Sequence, residues 1–382
     1  MMDAHFEYLL SGGAIILGLM FGVFVQRSRF CMTAAIANIV LMRDYRQLYG
    51  YIGALVVALT GTQLLEGFGV VDVAQSAFRS GALDWVGVLL GGLIFGIGSV
   101  FAGGCVGRIL VRTGEGCISA LLALMTLALG AVVAYLGILE PVREWLAAST
   151  SITIGDGDGS MAVVLGLPQW LLAVCLSVLL LGSLVFGVLR HLVSMFYIVG
   201  GALIGLVVVG GWCLTGYVVQ DEFTVFKPYS LSFSGPVART AVYLVENKTN
   251  GSFYSIALVF SVLTGAFISS IFSGTFKLSQ PDSSSIGRTL VGGFMMGVGA
   301  IFAGGCNIGQ GLSGMSTLAI ESVFALFTIV SGMYIGIKWL QHAEEAGTYW
   351  FTFRWSPGFQ HIVSRYVQLR RMRLERKYPS VG

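Results

Sequence analysis

Charged residues are scarce in this sequence: only 11% of its 382 residues are Asp, Glu, Lys or Arg, whereas 55% are hydrophobic. So little polar surface does not cover a soluble globule of this size, and the composition therefore argues against a soluble enzyme. Apolar runs of about 17–25 residues recur along the chain, and each is long enough to cross a hydrocarbon core as a helix. The sequence thus predicts a protein whose solvent is lipid.

Motifs for metals and cofactors are also missing. The six cysteines form no Cys-x-x-Cys pair and no cluster with the four scattered histidines, which argues against a thioredoxin-type redox centre and against a zinc site. No ionisable residue lies deep in an apolar run, so a buried carboxylate relay is not indicated. No small-residue cleavage site follows the acidic start MMDAHFEYLL, and the first run is interpreted as a retained helix. We expect no metal, no cofactor and no nucleic-acid partner.

What the sequence does contain is a series of nine apolar segments. Their odd number places the two ends of the chain on opposite faces of the membrane. From Arg354 onward the chain is strongly basic, with Glu375 as its one acid, and the positive-inside rule places such a tail in the cytoplasm. This predicts a multi-pass protein of the cell inner membrane with a cytoplasmic C-terminus. The predicted spans lie near residues 9–26, 50–65, 85–104, 117–139, 169–189, 192–214, 253–272, 289–304 and 316–339.

An internal repeat is the most informative pattern. The segment GGLIFGIGSVFAGGC (91–105) aligns without a gap on GGFMMGVGAIFAGGC (292–306), which indicates a duplication. By helix count the first copy runs inward and the second outward, so the duplication is inverted. Inverted repeats are an established architecture of secondary transporters, with the solute site between the repeats.

The repeat suggests a division of the chain. We predict an all-α polytopic membrane protein with about nine transmembrane helices in two inverted repeats, supplemented by short re-entrant or interfacial helices. The predicted units are a first membrane repeat (1–140), a periplasmic loop and linker helix (141–190), a second inverted membrane repeat (191–340) and a basic cytoplasmic tail (341–382).

Each repeated motif ends in a cysteine, Cys105 or Cys306, followed by a polar, Gly-rich segment that does not suit a lipid-facing span. Irregular backbone at membrane depth is tolerated where protein or a water-filled cavity surrounds it. A short helix starting after each cysteine would present its N-terminus to an anion. The thiol itself can donate a weak hydrogen bond or act as a nucleophilic thiolate; packing as a small apolar side chain is the alternative. Glycines that would permit the turn and expose backbone N–H groups are Gly103, Gly104, Gly304 and Gly305.

A third cysteine, Cys31, precedes the short apolar run MTAAIANIVLM, whose length suits a re-entrant or interfacial helix. Cys31 is therefore a candidate for the inner mouth of a solute path. Its positional mate in the second repeat is Cys213, for which function and packing remain equally open. Cys117 and Cys175 lack a motif, and we expect both to fill the core.

Three polar residues beside the motifs are candidate anion ligands. Arg108 follows Cys105, but its repeat mate is Gly309, so any contact with substrate would be one-sided; a topological role is the alternative. Asn307 and Gln310 follow Cys306 and are able to donate hydrogen bonds to an oxyanion, with loop capping as the competing interpretation.

Three motifs carry a resemblance to a known family: RSRFCMTAAIAN around Cys31, GIGSVFAGGCVGR around Cys105 and GVGAIFAGGCNIGQGLSG around Cys306. With them the sequence resembles the YeeE/YedE family of inorganic sulfur transporters up to about residue 340. The resemblance implies a nine-helix fold with pseudo-two-fold inverted symmetry and uptake of thiosulfate, passed between the three cysteines. It also implies a TusA-like sulfur carrier protein as a partner on the cytoplasmic side.

The sequence-based hypothesis is therefore uptake of thiosulfate by transient thiol contacts, without catalysis. Sulfite or a selenium compound is an alternative cargo. A membrane sulfurtransferase that forms a cysteine persulfide is the alternative from another class. The basic tail suits an acidic partner or anionic membrane lipid, or serves topology alone.

Overall fold

The computed structural model describes residues 2–219, 227–246, 253–280 and 283–345. The predicted tail from residue 346 onward and the acids Asp221 and Glu222 therefore lie outside the described residues. The described chain is helical apart from one pair of short strands. The helices are α1 Met2–Ser28, α2 Met32–Met42, α3 Arg46–Gly67, α4 Trp85–Phe101, α5 Val106–Gly114, α6 Ile118–Tyr135, α7 Glu140–Thr150, α8 Met161–Leu165, α9 Gln169–Leu189, α10 Met195–Cys213, α11 Ser234–Glu246, α12 Phe253–Phe272, α13 Ser283–Phe302 and α14 Ile320–Glu345.

Nine segments of the described chain are long and apolar enough to cross a membrane, and they coincide with the nine predicted spans. The first of them, Glu7–Met42, contains both α1 and α2. Many large apolar side chains point outward, as on α9, where Leu179 and Leu189 are 65% and 72% exposed. In water such a surface would be unfavourable, whereas lipid solvates it without cost.

The two copies of the repeated motif cross each other at their glycines. A Cβ atom at Gly91 would lie 2.7 Å from the carbonyl carbon of Phe302, and a Cβ at Gly292 would lie 2.7 Å from that of Phe101. Contacts this close are available to glycine alone, and small residues allow such backbone approach between membrane helices. Because Gly91 is the repeat mate of Gly292 and Phe101 that of Phe302, the two contacts are the same contact, exchanged between the repeats.

The same exchange relates the remaining membrane helices. α1 packs on α12 as α10 packs on α3, and α4 packs on α14 as α13 packs on α6. In the order of the nine spans each helix comes five places before its mate, and because five is odd, mates cross the membrane in opposite directions. Two four-helix halves of inverted orientation result, and α9, which packs on α3, connects them. The inverted repeat predicted from sequence is confirmed in this arrangement.

A two-stranded sheet was not predicted. Strands β1 (Ser80–Asp84) and β2 (Ser151–Asp158) pair antiparallel, in loops outside the membrane spans. Arg79, only 3% exposed, joins this sheet to the membrane helices: its Nε donates to Asp158 Oδ1 at 2.9 Å and its Nη1 to Glu66 Oε1 at 2.9 Å. Burial opposes the charge on Arg79, but its two carboxylate partners outweigh this and raise the pKa of the guanidinium.

Replacing Arg79 by Met is expected to lower the free energy of unfolding by about 2 kcal/mol, because two partly buried carboxylates would lose their shared partner. The loss is measured as a lower midpoint of thermal unfolding in detergent. The matched control is Arg46→Met, since Arg46 is 63% exposed and lies 3.7 Å from Asp44, a surface pair of little energetic value. Equal midpoints for the two variants would contradict this role of Arg79.

Candidate functional site

The first loop begins where α4 ends and turns sharply at Gly103, which has φ +79°. Only glycine adopts such a left-handed conformation without strain. The turn places Cys105 at the N-cap of α5, which starts at the next residue. A short helix therefore does follow Cys105, as predicted, and its free backbone N–H groups point toward the loop.

The second loop repeats this turn with one difference. Gly304, the mate of Gly103, has φ +66°, but the helix that follows Cys306 is a π-helical turn, Gly309–Gly314. Gly305 has no left-handed φ, so the conformational role expected for it is wrong; its close neighbour is the Gln310 side chain, whose Cγ would lie 3.1 Å from a Cβ at this position. A side chain at position 305 would therefore crowd Gln310, and Gly305 leaves room for it.

All three candidate cysteines share one local geometry. In each case the backbone N–H of the residue three positions after the cysteine lies near the sulfur. This residue is Ala34 for Cys31 and Arg108 for Cys105. For Cys306 the donor is Gly309, at 3.5 Å. Each thiol therefore lies at the positive end of a short helix or turn, where negative charge is favoured.

Cys31 and Cys105 lie side by side, although they are far apart in sequence. Both are buried, and their Sγ atoms are 4.0 Å apart. Cys31 is the N-cap of α2, so the predicted short helix after it is present. The Tyr51 ring stacks on that of Phe30, the residue before Cys31, with centroids 5.6 Å apart, and its hydroxyl donates to the backbone carbonyl of Asn307, the residue after Cys306, at 3.1 Å. The second loop therefore reaches the neighbourhood of the first two thiols.

Asn307 provides an unsatisfied amide in this region. The residue is fully buried, and neither Oδ1 nor Nδ2 has a hydrogen-bond partner among the described residues. Its side chain lies near the Cys105 thiol, while its backbone carbonyl accepts a hydrogen bond from the Tyr51 hydroxyl at 3.1 Å. Buried polar atoms are normally paired, so an amide held in place but left unpaired is available to donate a hydrogen bond to a bound group.

Gln310 is engaged within the protein. Its Nε2 donates to Ala303 O at 3.1 Å, and its Oε1 accepts from Ser322 Oγ at 2.6 Å. These contacts fit the loop-capping interpretation. Arg108 pairs with Glu115 at 3.3 Å while remaining 18% exposed, so a carboxylate of the first loop already partners its guanidinium.

The other cysteines form no hydrogen bond with these three thiols among the described residues. Cys213 is half-buried at the end of α10. Cys175 is exposed on α9, so the expectation that it fills the core is wrong: α9 faces lipid over most of its surface. Cys117 is not inside a helix but is the N-cap of α6, where Arg112 Nη2 lies 3.3 Å from its sulfur.

Sequence reasoning missed two features of the loops. Arg112 also donates from Nη1 to Gly103 O at 3.2 Å, so it fastens the first loop. Glu321 lies in the first turn of α14, beside Gly304. Because Glu321 is near the start of a predicted span, the sequence did not indicate that its carboxylate faces the interior. The polar segment around it offered the only signal.

A cavity of about 680 Å³ opens at the second loop. We call it the second-loop vestibule. Its lining contains Gly304, Gly305 and Gln310 of the second loop. The charged side chains of the lining are the cations Arg143, Lys227 and Arg239 and the carboxylates Asp84 and Glu321. Because the cations outnumber the carboxylates, the charge of the vestibule favours an anion.

The fold and loops together define a membrane protein with inverted repeats around thiol-bearing helix N-termini, which is the arrangement of a solute transporter. The chain belongs to the family described as sulphur transport, whose pattern matches residues 27–335. Thiosulfate transporter TsuA of Escherichia coli (strain K12) is 27% identical over 361 residues, covering 89% of this chain and 96% of that protein. Thiosulfate transporter TsuA of Spirochaeta thermophila is 27% identical over 328 residues, covering 83% of this chain and 95% of that protein.

Proposed function

We propose that this protein imports thiosulfate along a path that passes Cys306, Cys105 and Cys31. The observation that carries the proposal is the buried, unpartnered Asn307 amide beside Cys105, where the second loop reaches the first two thiols. The names of the two relatives support thiosulfate as the cargo. The path runs from the second-loop vestibule to the first loop.

The chemistry of thiosulfate fits these groups. Thiosulfate is a dianion, and removing its water is prohibitive unless hydrogen-bond donors replace the hydration shell. Backbone N–H groups at the helix starts and the Asn307 amide are suitable donors for the oxygens. A neutral thiol contacts the terminal sulfur without adding a fixed negative charge, and several weak contacts let the anion leave each in turn.

Uptake into liposomes tests this proposal. The purified full chain is reconstituted, and uptake of radiolabelled thiosulfate is compared with that of protein-free liposomes. We expect saturable uptake that unlabelled thiosulfate suppresses more strongly than sulfite or selenite does. Uptake no faster than in protein-free liposomes would overturn the proposal, and stronger suppression by sulfite or by a selenium compound would reassign the cargo.

Transport without catalysis is part of the proposal, and mass measurement of the protein tests it against a sulfurtransferase. A sulfane-sulfur transfer would leave a persulfide on a cysteine, adding one sulfur atom. Among the described residues, no His, Lys or carboxylate hydrogen-bonds to the thiol of Cys306 to serve as a base. We expect an unmodified mass after exposure to thiosulfate; a persistent added sulfur at Cys31, Cys105 or Cys306 would favour the enzyme.

Asn307→Leu is expected to raise the KM for thiosulfate about tenfold, since a donor to a desolvated anion is lost while the volume is kept. KM and maximal rate are measured by initial uptake rates. The matched control is Thr62→Val, because Thr62 Oγ1 is another buried atom without a hydrogen-bond partner, on α3. If both variants change KM equally, or neither does, Asn307 is not a ligand of the anion.

The remaining sequence predictions belong to the same proposal. We propose that the first-loop face is cytoplasmic and that the membrane is the inner membrane, as the basic residues beyond 354 indicate. A TusA-like sulfur carrier would then receive sulfur at the first loop, and the tail would contact it or anionic lipid. The four-part division at residues 140, 190 and 340 stays a prediction.

A further inference from the structure

Glu321 presents a problem for an anion that enters from the second-loop vestibule. A Cβ atom at Gly304 would lie 2.8 Å from Glu321 Oε1, so the carboxyl group lies directly on the loop that leads to Cys306. An ionised carboxylate there repels a dianion, and the repulsion is strong where water is partly excluded. The group is nevertheless retained on the wall of the vestibule.

No cationic side chain neutralises Glu321 directly. Among the described residues, no Lys, Arg or His lies within 4 Å of its oxygens. Its recorded hydrogen-bond partner is the neutral Gln310, whose Nε2 lies 3.4 Å from Oε1. Gln310 is itself fixed by Ser322 and Ala303, so the carboxyl group has little freedom to move away from an arriving anion.

The other charged groups of the vestibule act on Glu321 from a distance. Asp84, at the start of α4, adds negative charge, although its carboxylate is occupied by Gly87 N and Thr150 Oγ1 at 2.9 and 2.7 Å. The cations are Arg143 on α7, Lys227 before α11 and Arg239 on α11. The vestibule also contains the phenols of Tyr135, Tyr229 and Tyr254.

Among the described residues, the other elements packed on α14 add no unpaired charge at this point. Arg79, in the segment before β1, is committed to Asp158 and Glu66. The positive end of α14 favours an ionised Glu321 carboxylate while the vestibule holds no anion. An arriving dianion reverses this balance, because each of its charges favours the neutral acid.

We propose that Glu321 binds a proton when the anion reaches the second loop, so that the affinity for thiosulfate on this side of the membrane rises as pH falls. The proton comes from water in the vestibule. The inference rests on the proposed function and adds a proton-binding residue to it. Because linkage is reciprocal, a proton that favours the anion is itself bound more tightly when the anion is present.

Initial uptake rates at varied external pH test the proposal in cells that lack other thiosulfate uptake. Thiosulfate stays a dianion between about pH 6 and about pH 8, and one linked proton changes KM by at most about tenfold per pH unit. We expect the KM of the unchanged protein to rise about tenfold over that range. Glu321→Gln keeps the shape of the side chain and carries no charge, so its KM should change less than about twofold over the same pH range.

Glu144→Gln is the matched control, since Glu144 is 67% exposed on α7, next to a cation of the same vestibule; it should keep the full pH dependence. The proposal is overturned if Glu321→Gln keeps that dependence as well.

Should the variant not fold, proton uptake is measured with a pH indicator as thiosulfate binds to the unchanged protein in weak buffer. Proton uptake no larger than that measured in buffer without protein would also overturn the proposal. Failure of the proposed function is distinct, because the unchanged protein would then transport no thiosulfate at any pH.

Discussion

Cys105→Ala is expected to reduce thiosulfate uptake at least about tenfold, with normal amounts of folded protein in the membrane. Cys105 is close to two other groups of the site: its sulfur is 4.0 Å from that of Cys31, and the Asn307 amide lies near it. Loss of a contact to a desolvated anion costs about 1.5–3 kcal/mol, which corresponds to a tenfold to hundredfold change. Initial uptake rates in reconstituted liposomes measure the effect.

The chain supplies its own controls for this experiment. Cys175→Ala removes an exposed thiol on a lipid-facing helix and should leave uptake unchanged. Cys213→Ala tests whether the repeat mate of Cys31 contributes, since it forms no hydrogen bond with another thiol among the described residues. Uptake by Cys105→Ala that equals uptake by Cys175→Ala would contradict a path along the cysteines, even if the protein transports thiosulfate.

Gly292→Val is expected to lower the free energy of unfolding by about 3 kcal/mol or more, because the crossing of α4 and α13 has no space for a side chain. A Cβ at Gly292 would lie 2.7 Å from the carbonyl carbon and the Cβ of Phe101, and neither helix is able to move without disturbing the mirrored contact at Gly91. The midpoint of thermal unfolding, followed by size-exclusion chromatography after heating, measures the loss.

Gly182→Val is the matched control for the crossing. Gly182 lies within α9, and a Cβ at this position would meet nothing within 4 Å. The same substitution there changes helix propensity alone and should shift the midpoint by a small fraction of the effect at Gly292. Similar shifts for both variants would show that close approach at the crossing does not stabilise the fold.

The sequence predicted the membrane architecture because its signals are local. Apolar runs fix the spans through their length, and the duplicated GG-containing motif identified both the repeat and its inversion through helix count. The β1–β2 pair was missed because its strands are separated by about two membrane helices and carry little alternation. Its anchor, Arg79, appears in sequence as an ordinary loop cation, since its two acidic partners are distant along the chain.

The candidate site was predictable only in part. Recurrence singled out Cys105 and Cys306, and the sequence alone suggested short helices after the thiols. The 4.0 Å approach of Cys31 to Cys105 depends on how the first span packs against the first loop, which no local pattern encodes. The same is true of the difference between Asn307 and Gln310, because Ser322 of α14 engages the Gln310 amide, whereas the Asn307 amide has no hydrogen-bond partner among the described residues.

A structure of the protein with thiosulfate bound tests the central claim most directly, because it shows both the position of the anion and the groups that touch it. The account predicts the terminal sulfur of thiosulfate beside the Cys105 thiol, with the Asn307 amide donating to an oxygen. Density for the anion away from all three of Cys31, Cys105 and Cys306, at an occupancy that follows thiosulfate concentration, would contradict it.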